Sequence, residues 1–212
     1  MLKTPRTKLT RVPDRGHHDT ERLYAILDEA LIGHVGFVTK TGHPAVIPTL
    51  IARDGDELLI HGSNASRTVR ALRAGTEACI EVTHVDGIVL ARSAFHHSMN
   101  YRSAILYGTL QPAPDKERAL ELFTEKLIPG RWEHVRWPNP QELKATEVLS
   151  LHLNEGSAKV RSGPPGDDEP DYELDTWAGV VPITATRGEP IPDPLLRADI
   201  ATPDHVRALT DR

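Results

Sequence analysis

The stretch ELLIHGSNASRTVRALRAG (Glu57–Gly75) carries an apolar strand into a short helix through a run of small and hydroxyl residues. ELLI has the composition of a strand, and Gly75 is placed to end the following helix in the left-handed conformation. Between them, His61-Gly62-Ser63-Asn64-Ala65-Ser66 leaves backbone N–H groups free at the start of a helix, beside the hydroxyls of Ser63 and Ser66. Arg67 adds a planar fork of donors that matches the oxygens of a phosphate. The set suits an anion. It suits a plainer role equally well, with Ser63 or Ser66 as a helix cap and Arg67, Arg70 and Arg73 as a solvated face.

Outward from this stretch the chain is rich in β signals. Upstream, HVGFVT (34–39) and PAVIPTLIA (44–52) are short β-prone runs, and Thr41-Gly42 and Asp54-Gly55 mark turns. Two adjacent hairpins follow from that spacing. A helix precedes them, capped by Asp19 or Thr20, with Leu23, Ile26, Leu27, Ala30 and Leu31 on one face. Downstream come ACIEVTH (78–84), GIVLARSA (87–94) and YRSAILYGTLQPA (101–113). Pro114 and Asp115 then open a third helix carrying Leu120, Phe123 and Leu127 on one side. TEVLSLHLN (146–154) and SAKVRSG (157–163) complete the strands. Many strands, three helices and no regular alternation predict a mainly β chain, an antiparallel barrel in place of a doubly wound parallel sheet.

Three regions result. Residues 1–18 are basic and broken by Pro5, Pro13 and Gly16, which describes an arm; 19–163 form the barrel domain. Residues 164–212 form an extension holding eight of the 17 prolines and the acidic run DDEPDYELD (167–175). Within it, WAGVVPI (177–183) is apolar enough to dock on a surface.

A net charge of −5 offers nucleic acid or an anionic membrane no general attraction, and Arg67, Arg70 and Arg73 lack the interleaved aromatics of a nucleic-acid face. No apolar run approaches the roughly 20 residues that cross a bilayer. The start, MLKTPRTKLTRVPDRG, lacks the apolar centre of a secretory signal, so a cytoplasmic protein is expected. Cys79 is the single cysteine and sits in an apolar run, a structural position. His17-His18 and His96-His97 are adjacent pairs whose members point to opposite faces of a strand, so no metal site is expected; His96 and His97 are read as flanking a pocket mouth. His61 and His84 both suit strands, and His61 is the one that abuts the candidate cradle.

The order of a Pro48-containing strand, a strand ending His61-Gly62-Ser63, a Ser66-Arg67 helix and a later Asn100-Tyr101-Arg102-Ser103 strand resembles the pyridoxamine-phosphate-oxidase-like split barrels that bind flavin. It is most similar to the branch with nitroimidazole-resistance-type proteins. The likeness covers roughly residues 20 to 160, and WAGVVPI also resembles a segment of that branch. The resemblance implies an FMN-binding split barrel that forms a homodimer with its cofactor at the subunit interface. It places Ile47, Pro48 and Thr49 along the isoalloxazine ring, His61, Gly62 and Ser63 near the ribityl chain, and Ser66 and Arg67 at the phosphate. Tyr101, Arg102 and Ser103 then approach the flavin of the other subunit.

The implied activity is flavin-dependent oxidoreduction of a small molecule, such as a nitro-aromatic or quinone-like compound. Hydride transfer at a flavin needs no protein nucleophile, which agrees with the absence of a catalytic dyad or Gly-x-Ser-x-Gly elbow. A non-catalytic flavin-binding or storage module, and relatives that use deazaflavin or haem, remain alternatives. The chain ends HVRALTDR after an acidic, proline-rich tail, whereas pyridoxal-phosphate-forming oxidases end in a basic segment, so vitamin B6 oxidation is not expected.

Overall fold

Strand-length runs of alternating burial, interrupted by well-capped helices, organise the chain. The computed structural model describes residues 1–210. In order, the elements are β1 (Gly16–His17), α1 (Thr20–Glu29), β2 (Ile32–Val38), β3 (Pro44–Asp54), β4 (Glu57–Ser63), α2 (Arg67–Arg73) and β5 (Glu77–Leu90). They continue as β6 (Ser98–Thr109), β7 (Gln111–Pro112), α3 (Lys116–Leu127), α4 (Pro140–Ala145), β8 (Thr146–His152), β9 (Gly156–Arg161), β10 (Gly179–Pro182) and α5 (Asp204–Arg207). The strands lie in the order β1-β9-β6-β5-β2-β3-β4-β8-β7, with β10 also on β5. Every one of these pairings is antiparallel. This is the split-barrel arrangement the sequence predicts.

The caps follow from side-chain chemistry. Asp19, Ser66 and Asp115 each accept the N–H three residues on, and Gly75 leaves α2 with φ +87°. Two expected strands over 78–84 and 87–94 are one, β5, bent by a bulge between Val85 and Gly87. Continuous pairing with β6 holds the two halves together, and the bulge absorbs the extra residue. The helix α4 has a sequence signal that periodicity passes over: Asn139 and Glu142 make a reciprocal capping box, with Pro140 in the first turn.

The extension docks by backbone. β10 pairs with β5 from Gly179↔Leu90 to Pro182↔Gly87, on the edge whose other half, Ala78–Glu81, is taken by β2. The N-terminal arm is likewise tied to the barrel, through β1 on β9 and through Arg6, which donates to Glu77 and Glu155.

Burial divides into two clusters. Leu23 and Leu27 of α1 meet Ile51, Leu58, Leu72, Ile80 and Leu106 inside the barrel. Ala52, Leu59 and Val148 form a second cluster with Ala119 and Phe123 of α3. Along β4 the two clusters alternate, Leu58 and Ile60 inward and Leu59 toward α3. His61 shares the parity of Leu59 and therefore faces α3. Among the described residues no helix is long and apolar enough to cross a membrane.

Candidate functional site

The sheet splits at β3. Pro44–Leu50 pair with β2, whereas only Ile51–Asp54 pair with β4 on the opposite edge. Ile51 N–H donates to the Leu31 carbonyl at 3.0 Å and Thr39 N–H to the His43 carbonyl at 2.8 Å. By antiparallel alternation, positions 45, 47 and 49 bond toward β2, and 44, 46, 48 and 50 turn their backbone groups to the open edge. Pro44 and Pro48 have no N–H, so the donors on that edge are Val46 and Leu50. Proline is tolerated in a strand at such an unpaired edge, and it discourages further strand pairing there.

A cavity of about 450 Å³ lies between the sheet and α2. Phe37, Ala45 and Ile47 give it an apolar wall. Thr39, Lys40 and Thr41 come from the turn after β2, and Arg67, Thr68 and Arg70 from α2. Three cations and three hydroxyls converge with no acidic side chain among the lining residues, which is the chemistry of an anion site. Ser66 Oγ accepts the Val69 N–H, so the capping role and the anion role coexist: Ser66 fixes the helix while Arg67 faces the cavity. Gly62 is needed for the approach of α2, because a Cβ there would meet Val69 Cγ2 at 2.8 Å. Ser63 Oγ accepts the Ala65 N–H and shapes the turn between them.

Of the residues singled out in the sequence, Ile47 and Arg67 thus line one cavity, Pro48 and Thr49 continue its edge strand, and Gly62, Ser63 and Ser66 build the turn and cap. The sequence reading passed over Lys40 and its flanking threonines, although a lysine in a hairpin turn facing an arginine helix is a usable signal.

His61 lies elsewhere. It lines a second cavity of about 330 Å³, walled by Leu50, Leu120, Phe123, Leu127, Trp132 and Val135. Its ring packs at a tilt on Phe123, 4.6 Å between centres. His61 Nδ1 is buried and has no hydrogen-bond partner among the described residues. Burial holds its pKa below the ordinary histidine value, leaving a neutral imidazole with a lone pair free. A buried polar atom without a partner is costly, and Nδ1 itself has no surface open to the cavity that His61 lines. Arg136 and Glu142, paired at 2.7 Å, also line it. The two cavities share β3: Ile47 lines one and Leu50 the other, roughly 10 Å apart along the strand.

Tyr101, Arg102 and Ser103 line neither cavity. Cross-strand pairing puts Tyr101 and Ser103 on the outer face of the sheet, opposite Val85 and Thr83, and turns Arg102 the other way beside His84. Arg102 is committed there to Asp86 at 2.8 Å and Glu29 at 2.9 Å. Its hydrogen bonds hold both carboxyls below the usual range. His96 and His97 also stand apart from both cavities, His96 beside Asp168 at 3.3 Å and His97 on the Ser93 carbonyl.

A family model described as pyridoxamine 5'-phosphate oxidase matches residues 19–160. Among solved structures, a flavocytochrome from Azotobacter vinelandii is 40% identical, with 97% of each chain covered and a TM-score of 0.91. An FAD- and haem-binding protein from Mycobacterium smegmatis is also 40% identical, covering 92% of this chain and 97% of that one, with a TM-score of 0.89. A candidate 5-nitroimidazole antibiotic resistance protein from Bacteroides thetaiotaomicron shares the fold at 20% identity, over 68% of this chain and 86% of that one, with a TM-score of 0.58. No curated protein sequence matches. On the strength of the family match and of two relatives alike over nearly their whole length, the chain belongs to the pyridoxamine 5'-phosphate oxidase-like family of split-barrel proteins.

Proposed function

We propose that this chain is a redox protein that holds a flavin in the Arg67 cavity and a haem in the His61 cavity. The observation that carries the reading is His61 itself, a neutral, half-buried imidazole lining a largely apolar and aromatic cavity that shares β3 with a cationic one. Imidazole on iron, enclosed by apolar side chains, is the usual way a protein holds haem, and the donor set here fits it. Arg136, which lines this cavity, is the cation suited to its carboxylates. That two relatives at 40% identity are a flavocytochrome and an FAD- and haem-binding protein supports the same pairing.

On the flavin side, Arg67 and Arg70 hold phosphate, Ile47 and Phe37 pack on the ring, and the backbone of Val46 and Leu50 offers donors to its polar edge. FAD is the preferred flavin over FMN. Lys40 stands on the turn after β2 while Arg67 and Arg70 stand on α2, which suits a second phosphate, and the Mycobacterium smegmatis relative takes FAD. The cofactors supply hydride and single-electron transfer; the chain orients them and limits access. The reaction class is oxidoreduction of a small molecule, with quinone-like or nitro-aromatic acceptors in keeping with it.

The outer face of the sheet supports a homodimer. Ile32, Val38 and Val46 (64% exposed) stand on it with Val85, Ile88, Met99 and Val181, apolar side chains around the His34–Glu81 pair on a face that includes Tyr101 and Ser103. A second copy covering it brings Tyr101 and Ser103 to the open edge of the partner's β3 strand.

The absorption spectrum of the purified protein tests the reading. A flavin band together with a haem Soret band is expected, with FAD released on heating. A spectrum with flavin alone removes the haem assignment, and one with neither removes both.

A further inference from the structure

We propose that α5 is a pH-sensitive brace on the segment that walls the His61 cavity, docked while His205 is uncharged and released when it takes a proton. That segment follows α3. It turns at Gly130, is fixed by the Glu125 carboxylate accepting the N–H groups of Gly130 (2.5 Å) and Trp132 (2.7 Å), and sends Trp132, Val135 and Arg136 into the cavity wall. Its other side meets the C-terminal helix. His134 stacks on His205 with ring centres 4.6 Å apart and planes 9° from parallel. Gly130 adds a close approach, since a Cβ there would stand 3.7 Å from the His205 Cβ.

The polar contact favours an uncharged ring. Arg131 Nη1 lies 3.4 Å from His205 Nε2, and a guanidinium has only donors, so the contact is favourable only while this nitrogen accepts, in a neutral ring. A proton on Nε2 turns that contact into two opposed donors and sets two cations against one aromatic stack. The charged and titratable groups facing His205 are Glu125 from α3, Arg131 and His134 from the segment, and Asp204 and Arg207 from α5. Glu125 is occupied by backbone N–H groups, and Asp204 pairs with Arg207 at 3.3 Å. Burial, then His134, then Arg131 push the His205 pKa below its ordinary value, against smaller upward effects of Glu125 and Asp204. A histidine whose pKa is lower when docked than when free favours docking fully above the free value, near pH 6.5, and loses that contribution as pH falls below it.

Release of α5 leaves His134 without its stacking partner and loosens the wall of the His61 cavity. The meaning for haem access rests on the cofactor reading above; the brace itself does not. Hydrogen–deuterium exchange on the purified full chain, corrected for intrinsic rates, tests it at about pH 8 and about pH 5.5. In the wild type, protection over 128–137 and 203–210 is expected to fall on acidification, by up to about tenfold. His205→Phe keeps a stacked ring that cannot take a proton, so its protection stays; His205→Ala lacks the ring, so its protection is low at both values. An unchanged wild type, the wild-type fall in His205→Phe, or full protection in His205→Ala overturns the proposal. Exchange is read whether or not haem is loaded, so a chain that takes no haem but shows the fall sinks the cofactor reading alone.

Discussion

The two cavities on either side of β3 are built on opposite principles. The Arg67 cavity gathers charge and hydroxyls from an exposed turn and a short surface helix, with an apolar wall behind them. The His61 cavity gathers apolar and aromatic side chains from strands and α3, and places one neutral imidazole among them. Recognition by charge tolerates solvent and some imprecision, because an anion is attracted over several ångströms and its contacts add up from many donors. Recognition by a single coordinating atom depends on one position, so its loss leaves nothing behind.

The sharpest way to break that contrast is to remove His61. In His61→Ala, haem affinity is expected to fall by more than about hundredfold, beyond the effect of removing a supporting group of a metal site. The flavin content stays at the wild-type level, because His61 lines only the second cavity. Equal loss of both chromophores, with the fold intact by circular dichroism, defeats the two-site reading.

Arg67→Ala is the counterpart, with a smaller expected effect. A hydrogen bond to a charged group contributes about 1.5–3 kcal/mol, so flavin affinity falls roughly ten- to hundredfold, while Arg70 and Lys40 keep a residual site. Arg67→Lys recovers only part of it, since a point charge lacks the planar fork. Titrating flavin into the stripped variants and following fluorescence quenching measures the series. An unchanged flavin affinity in Arg67→Ala shows that the phosphate lies elsewhere.

The same contrast explains what was legible in the sequence. The three longer helices, the caps at Asp19, Ser66, Asp115 and Gly75 and most of the strands follow from local chemistry, whereas the bulge that joins 78–84 and 87–94 into one strand does not. Arg67 was visible because charge beside hydroxyls at a helix start is a local pattern. The place of His61 was not. Both faces of β4 are buried, so Leu58, Leu59 and Ile60 read as one apolar run and hide the alternation that sends His61 toward α3. Arg102 shows the opposite case. Its parity against Tyr101 and Ser103 was available, and strict alternation alone turns it away from the outer face. His205 lies in a helix of four residues, too short for periodicity, and its partner His134 is brought to it by tertiary packing.

The smallest effect is the most selective probe of how the two cavities are separated. Gly62 lies next to His61 in sequence, yet its missing side chain serves α2, since a Cβ would press on Val69 Cγ2 at 2.8 Å. In Gly62→Ala, α2 or the Val69 side chain has to move to relieve the contact, and overpacking of this kind costs about 1–3 kcal/mol at most sites. Because Arg67, Thr68 and Arg70 ride on α2, a shift of the helix weakens flavin binding by a few-fold and leaves haem binding alone. The double variant Gly62→Ala with Val69→Ala removes the two methyls that receive the new one, so it regains flavin affinity although each single change is unfavourable. Denaturation midpoints and flavin titrations on the four proteins of this cycle measure the coupling. If the second substitution fails to restore flavin affinity, contact with Val69 is not what sets the position of the arginine helix.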